Sequence, residues 1–271
     1  MIMRVSAYGF SDVGLQRDHN EDSFAVEPEL DLFLVADGMG GHQAGDVASR
    51  LATEMIVKFF RSTSGEELTW PFDFDPQLSE DENRLSSGVK LANRQIVELG
   101  NRRPELHGMG TTVVAALFSA PRGKMYVAHV GDSRAYRVRA GEIDQLTRDH
   151  SFMNEYLDAN PDTSEERRND LPKNVITRAL GMQENIPVDL AEFDVELGDV
   201  FLLCSDGLSG MVDDEDVCAV IQSTSDIHAA CHRLINLANA HGGEDNVTAL
   251  LLRVEAPTSD AFRATLPDIQ P

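Results

Sequence analysis

Apolar and polar positions follow one another along this chain in short runs whose period shifts between two and 3.6. A strand is predicted at about 3–9, followed by a polar loop from Ser11 to Ser23. A second strand at about 31–36 ends in Asp37. After Gly38-Met39-Gly40-Gly41 the period becomes helical, with Val47, Leu51, Met55 and Phe59, joined by Ala48 and Ala52, on one face. Residues 62–78 break the pattern around Trp70-Pro71-Phe72, and Ser79 with Glu82 then reads as a capping box for a helix running to about Leu99. The unbroken apolar and β-branched run at 111–118 predicts a strand covered on both sides. Strands follow at 124–130 and 134–138, joined through Gly131-Asp132-Ser133, and another at 143–146.

Residues 151–174 are polar, carry both charge signs and hold Pro161 and Pro172, the composition of a surface flap containing helix. Strands return at about 187–195 and 199–204, helices at about 213–222 and 226–240, and a last strand at 246–254. Helices therefore come in pairs between groups of strands, and several strands are joined by hairpin-length links. That favours antiparallel sheets layered with helices, an α+β fold, over a doubly wound parallel sheet. One domain is expected over residues 1–254, with a loose proline-bearing tail at 255–271.

Composition narrows the function. The chain has 271 residues, 42% of them hydrophobic and 25% charged, so a layered core forms without disulfides. A net charge of -23 argues against nucleic acid and against an anionic membrane surface as partners. Cys204, Cys218 and Cys231 form no C-x-x-C pair and sit in apolar patterns, as buried thiols of a reducing compartment do. Neither a signal peptide nor an apolar run of about 20 residues is evident, which points to the cytoplasm.

Acids recur where apolar strands meet glycine-bearing turns: Asp37-Gly38, Gly131-Asp132, Asp206-Gly207 and Gly243-Glu244-Asp245. Carboxylates gathered at the ends of buried strands repel one another unless a cation sits between them, and all-oxygen donors suit a hard divalent ion. Asp-Gly between strands is also the signature of a tight hairpin turn. That simpler reading suits Asp132, after which strand pattern resumes at once, better than Asp37 or Asp206, which lead into helices. Arg17, Asn20, Glu21 and Asp22 add a charged loop in which a guanidinium would match two phosphate oxygens.

These residues carry a resemblance. Ser11-Asp12-x-Gly14-x-x-Arg17-x-x-Asn20-Glu21-Asp22, Asp37-Gly38-Met39-Gly40-Gly41, Gly108-x-Gly110-Thr111-Thr112, Gly131-Asp132-Ser133-Arg134, Asp149-His150-Ser151, Ile176-Thr177-Arg178-Ala179-Leu180-Gly181, Ser205-Asp206-Gly207-Leu208 and Asp245-Asn246 resemble the metal-dependent protein phosphatases, type 2C, in their bacterial form. The resemblance spans about residues 4–254 with its motifs in order. It implies a four-layer α-β-β-α sandwich of two antiparallel sheets flanked by helix pairs, with a two-metal site at one edge. It further implies that Asp37 bridges two Mn²⁺ or Mg²⁺ ions, that the Gly38 carbonyl binds one, and that Asp206 and Asp245 bind the other. Glu21 and Asp22 would hold metal-bound waters, Asp132 with Asp206 would hold a weaker third ion, and Arg17 would clamp the phosphoryl group.

The implied reaction is hydrolysis of phosphoserine and phosphothreonine in proteins by a hydroxide held between the ions. The implied substrates are those of a bacterial Ser/Thr kinase, and the enzyme is expected to act as a monomer. Two other readings stand beside it: a phosphatase of one phosphorylated regulator, and an inactive phosphoprotein-binding module on the same fold. Eukaryotic members carry a His directly after Asp-Gly, where this chain has Met39; His42 lies three residues on, and a helix-start or core role suits it better than catalysis.

Overall fold

The computed structural model describes residues 3–40, 44–63, 70–172 and 175–257. Among them, strands in one sheet run in the order β1 (Arg4–Asp12), β11 (Val247–Glu255), β10 (Val200–Cys204), β7 (Arg134–Arg139) and β8 (Glu142–Gln145). The other sheet runs β2 (Asp22–Glu27), β3 (Leu32–Met39), β5 (Val113–Ser119), β6 (Lys124–Val130) and β9 (Asp189–Asp194), with β4 (Gly110–Thr111) on the far end of β3. Every strand pair is antiparallel.

The long apolar runs are explained by burial on both faces. Leu32, Leu34 and Ala36 of β3 pack toward α1 (Ala44–Ser62) and α2 (Glu80–Arg102), while Phe33 and Val35 face the opposite sheet. In β10, Val200, Leu202 and Cys204 pack toward α6 (Asp214–Ser223) and α7 (Ile227–Ala240), and Phe201 and Leu203 turn to the shared inter-sheet core. The result is the four-layer α-β-β-α sandwich. The Ser79–Glu82 capping box is present: Glu82 N–H donates to Ser79 Oγ at 3.2 Å and Ser79 N–H donates to Glu82 Oε2 at 2.8 Å. Its helix runs one turn past the expected end, to Arg102.

Four differences from the sequence reading bear on the site. The expected polar loop stops earlier, because Asp22 opens β2, whose Phe24 and Val26 pack against the inter-sheet core. Asp37 lies within β3 rather than at its exit, directly across from Asp22. The run at 111–118 breaks at Thr112, whose N–H donates to the Asp37 carbonyl at 2.8 Å. Gly131-Asp132-Ser133 is no hairpin, since β6 and β7 belong to different sheets and the turn crosses between them. The short helix α5 (Asp206–Ser209) follows β10, and the flap holds α3 (Phe152–Ala159) and α4 (Glu165–Asn169). Cys204, Cys218 and Cys231 are buried and unpaired. Glu255 still belongs to β11; the rest of the expected tail from 258 onward, and His42, lie outside the described residues.

Candidate active site

Register and connectivity bring the acids together. The β2–β3 pairing sets Asp22 opposite Asp37. Ser205 occupies the N-cap position of α5, so Asp206 opens that helix just past the end of β10, and Asp245 lies two residues before β11, the neighbour of β10. The crossover between the sheets adds Asp132. A cleft of about 430 Å³ opens there, lined by Arg17, Asp132, Asp206 and Asp245, with Ser151 and Met153 at the base of the flap. A larger groove of about 760 Å³, beside α2 and the 184–187 loop, mixes Lys90 and Arg94 with Asp73, Glu98 and Glu184 and contains none of these acids.

Backbone bonds hold Asp37 in place. Its N–H donates to Thr112 Oγ1 at 3.0 Å, its carbonyl accepts from Thr111 Oγ1 at 2.8 Å, and Thr112 Oγ1 meets Ser133 Oγ at 2.7 Å. The side chains of Asp37 and Asp206 share a hydrogen bond. Loss of hydration, then the charges of Asp22 and Asp206, hold the Asp37 carboxyl well above the usual range, and Asp206 is raised with it, burial being the largest cause. Asp22 Oδ2 accepts from Ser205 Oγ at 2.8 Å and Thr248 Oγ1 at 2.6 Å, yet burial still pushes Asp22 up to about 7. Burial, followed by Asp206 and Asp149, raises Asp132 to about 7 as well. Glu21 is raised by partial burial, against the lowering pull of Arg17.

Two close approaches explain glycines of the motifs. A Cβ on Gly38 would lie 2.2 Å from the Gly45 carbonyl at the start of α1, which is why β3 and α1 can meet here. Gly38 N–H donates to the Glu21 carbonyl at 3.1 Å, tying that contact to the N-terminal loop. Gly14, at φ +79°, would place a Cβ 2.2 Å from the Asp245 carbonyl. Only there can the loop ride over 243–245, where Leu15 N–H donates to Gly243 O at 2.8 Å.

Arg17 therefore arrives beside the acids, with Nη2 2.7 Å from Asp245 Oδ2. Its side chain is 53% exposed, so the pair is worth about 1 kcal/mol or less and is readily exchanged for another anion. Asn246 had no role in the sequence reading, but it fastens the whole loop. Its Oδ1 accepts from Glu21 N–H at 2.8 Å, and its Nδ2 donates to Val13 O and His19 O, each at 2.9 Å. Ser205 and Thr248 were likewise unassigned; Ser205 stands next to a flagged acid, whereas nothing local in the sequence marks Thr248.

The donor set fits divalent cations. Asp22 Oδ1 and Asp206 Oδ1 are buried without a hydrogen-bond partner, and the neighbouring carboxylates raise one another's proton affinity, as an unneutralised like-charge cluster must. All donors are oxygens, which suits Mg²⁺ or Mn²⁺. The tightest group of metal-type donors among the described residues lies elsewhere: His129, His150 and Asp189, with ligand atoms within 4.8 Å of one another.

Comparison with known proteins agrees with this geometry. The family model described as protein phosphatase 2C matches residues 16–246. The serine/threonine phosphatase stp of Listeria welshimeri is 37% identical over 245 residues, spanning 89% of this chain and 93% of that protein. The serine/threonine protein phosphatase PstP of Mycobacterium tuberculosis is 37% identical over 254 residues, 94% of this chain and 45% of that protein. The crystal structure of the PstP catalytic domain in complex with two manganese ions superposes with a TM-score of 0.78 at 35% identity, covering 94% of this chain and all of that one. The serine/threonine phosphatase of S. agalactiae gives 0.80 at 34% identity over 93% of this chain. With the matched span running from Arg17's loop to Asn246 and enclosing every acid of the cleft, the chain belongs to the protein phosphatase 2C family.

Proposed function

We propose that this protein is a metal-dependent protein-serine/threonine phosphatase whose cleft acids hold the ions. The observation that carries the reading is the convergence of Asp22 on β2, Asp37 on β3, Asp206 at the start of α5 and Asp245 in the loop before β11, with Asp22 Oδ1 and Asp206 Oδ1 buried and unpartnered. Asp37, the Gly38 carbonyl, Asp206 and Asp245 would hold two ions, Asp37 being shared, and Asp132 with Asp206 a weaker third. Glu21 and Asp22 would lie in the outer shell, where Ser205, Thr248 and Asn246 fix them. Mn²⁺ is the favoured ion, on the strength of the manganese-bound PstP relative. When bound, such ions supply Lewis acidity that makes water nucleophilic near neutral pH and offsets charge on the phosphoryl oxygens.

The chain's own part is positioning. Arg17 would leave Asp245 to offer its planar fork to two phosphoryl oxygens, holding phosphorus in line with the attack. Water then displaces the serine or threonine oxygen, giving the free hydroxyl and inorganic phosphate. Met39 has no proton to donate to the leaving oxygen. Substrates of this reading are phosphoproteins made by a Ser/Thr kinase of a bacterial cytoplasm, met by a monomer. The buried free thiols support that setting, and no helix of the described residues is long and apolar enough to cross a membrane.

The test is phosphate release from phosphothreonine, phosphoserine and phosphotyrosine peptides with Mn²⁺ present. Turnover of the first two is expected; binding without release would favour an inactive module. For Arg17→Ala, the phosphopeptide KM is expected to rise on the order of tenfold with a smaller change in Mn²⁺ affinity, and Arg17→Lys to recover only part, because a point charge lacks the fork. Unchanged kinetics would return Arg17 to an exposed ion pair with Asp245.

A further inference from the structure

Behind the Asp132 turn, one residue grips the Gly131 peptide from both sides. His150 N–H donates to the Gly131 carbonyl at 2.9 Å, and Gly131 N–H donates to His150 Nδ1 at 3.0 Å. With Nδ1 accepting, the proton of the neutral ring belongs on Nε2, an assignment made from this hydrogen-bond network. Burial and the adjacent His129 hold His150 below the usual histidine range, in keeping with a neutral ring. Nε2 faces Asp189 Oδ2 at 3.3 Å, and Asp189 Oδ1 accepts from Arg178 Nη1 at 2.9 Å. His129 lies parallel to His150, ring centroids 4.7 Å apart, with its Nε2 2.9 Å from the Arg148 carbonyl.

The same residue belongs to the base of the flap. The His150 carbonyl accepts from Thr177 N–H at 2.9 Å, Ser151 bridges to Ile176, and Phe152 N–H donates to Val175 O at 2.8 Å. Both ends of the flap thus close on His150, whose other bonds end one residue from Asp132.

Three donors this close invite a cation, but most of their capacity is taken. His150 Nδ1 serves Gly131, His129 Nε2 serves Arg148 and Asp189 Oδ1 serves Arg178, while His150 Nε2, which carries the ring proton, is buried without a full hydrogen bond and faces Asp189 Oδ2. Parallel rings, 13° apart, do not converge their lone pairs on one point, and a guanidinium at the third ligand repels a dication. The cluster is a hydrogen-bonded strut.

Gly131 needs such a strut. It sits at φ +111°, and a Cβ there would lie 2.6 Å from the Thr112 side chain, so glycine is obligatory and brings backbone freedom with it. We propose that His150 is a positioning residue that fixes the Gly131 peptide, and with it the direction in which Asp132 faces the cleft, and so couples the seating of the flap to the weakly held cation at Asp132. This rests on the reading of Asp132 as a ligand of that third ion.

The experiment compares full-length wild type, His150→Asn, His150→Gln, Asp189→Asn and Asp132→Ala. It reads the Mn²⁺ concentration for half-maximal phosphopeptide turnover, kcat, KM and melting temperature. Asn places an acceptor near the position of Nδ1, and Gln places its polar group near Nε2. His150→Gln is expected to raise the half-activating Mn²⁺ concentration on the order of tenfold and to lower kcat with little change in KM, as loss of an outer-shell partner does. His150→Asn should recover most of that response, and Asp189→Asn should shift it in the Gln direction by less. Asp189 is half-exposed on an edge strand, so its variant supplies the answer even if His150→Gln fails to fold. A lowered melting temperature with wild-type Mn²⁺ response in both His150→Gln and Asp189→Asn would overturn the inference while Asp132→Ala shifts. An unshifted Asp132→Ala curve would overturn it together with the Asp132 reading.

Discussion

Asp37→Asn is expected to lower kcat for phosphopeptides by about three orders of magnitude or more, roughly 4 kcal/mol at 1.36 kcal/mol per decade. The side chain is the one shared by both proposed ions, so its loss removes the charge that holds them together. The fold should survive. Asn has the same shape, the backbone bonds to Thr111 and Thr112 stay, and its amide can donate to Asp206 in place of the hydrogen bond the two carboxyls share. In chelator the variant should melt at or above the wild-type temperature, because a buried carboxyl raised well above its usual range costs stability at neutral pH whether it takes up a proton or ionises, a cost Asn does not carry. Near-normal kcat in a folded variant would reduce Asp37 to a strand residue.

The second large effect couples pH to metal. Asp22 and Asp132 are pushed from 3.8 up to about 7, so the folded, metal-free protein binds their protons more tightly than the unfolded chain does. Their cost to stability is absent below about pH 4, grows as pH rises through that window and is complete above about 7. Cations relieve it. The rise in melting temperature on adding Mn²⁺ should therefore be largest above pH 7, on the order of several degrees, and shrink toward pH 5.5. Buried His129 and His150, both lowered, act in the opposite sense, but they do so with and without Mn²⁺, so the difference isolates the cleft acids. Near pH 6.5, Mn²⁺ binding should also release protons, measurable by calorimetry in buffers of different ionisation enthalpy. A Mn²⁺ shift independent of pH would contradict the shared-charge account.

Much of this was legible because burial on both faces writes itself into sequence. The runs of β3, β5 and β10 are apolar throughout since each strand lies between a sheet and a helix layer. The Ser79–Glu82 cap was legible because its partners are three residues apart. The ordered acid and glycine motifs located the cleft. Strand β2 was not legible: its six residues are half polar, and its place depends on the distant β3. The sheet-to-sheet crossover at Asp132 was hidden for the same reason, since a turn's local residues do not say which strands pair. Ser205, Thr248 and Asn246 act on residues 183–233 positions away, a relation no spacing rule carries.

The most direct measurement of the central claim is phosphothreonine-peptide turnover by the metal-stripped protein across a Mn²⁺ titration, with ion stoichiometry determined on the same preparation. The account predicts no turnover in excess chelator and full recovery with Mn²⁺, with two ions retained tightly by the wild type and fewer by Asp206→Asn or Asp245→Asn. Full turnover in excess chelator, or two tightly held ions in both variants, would contradict it.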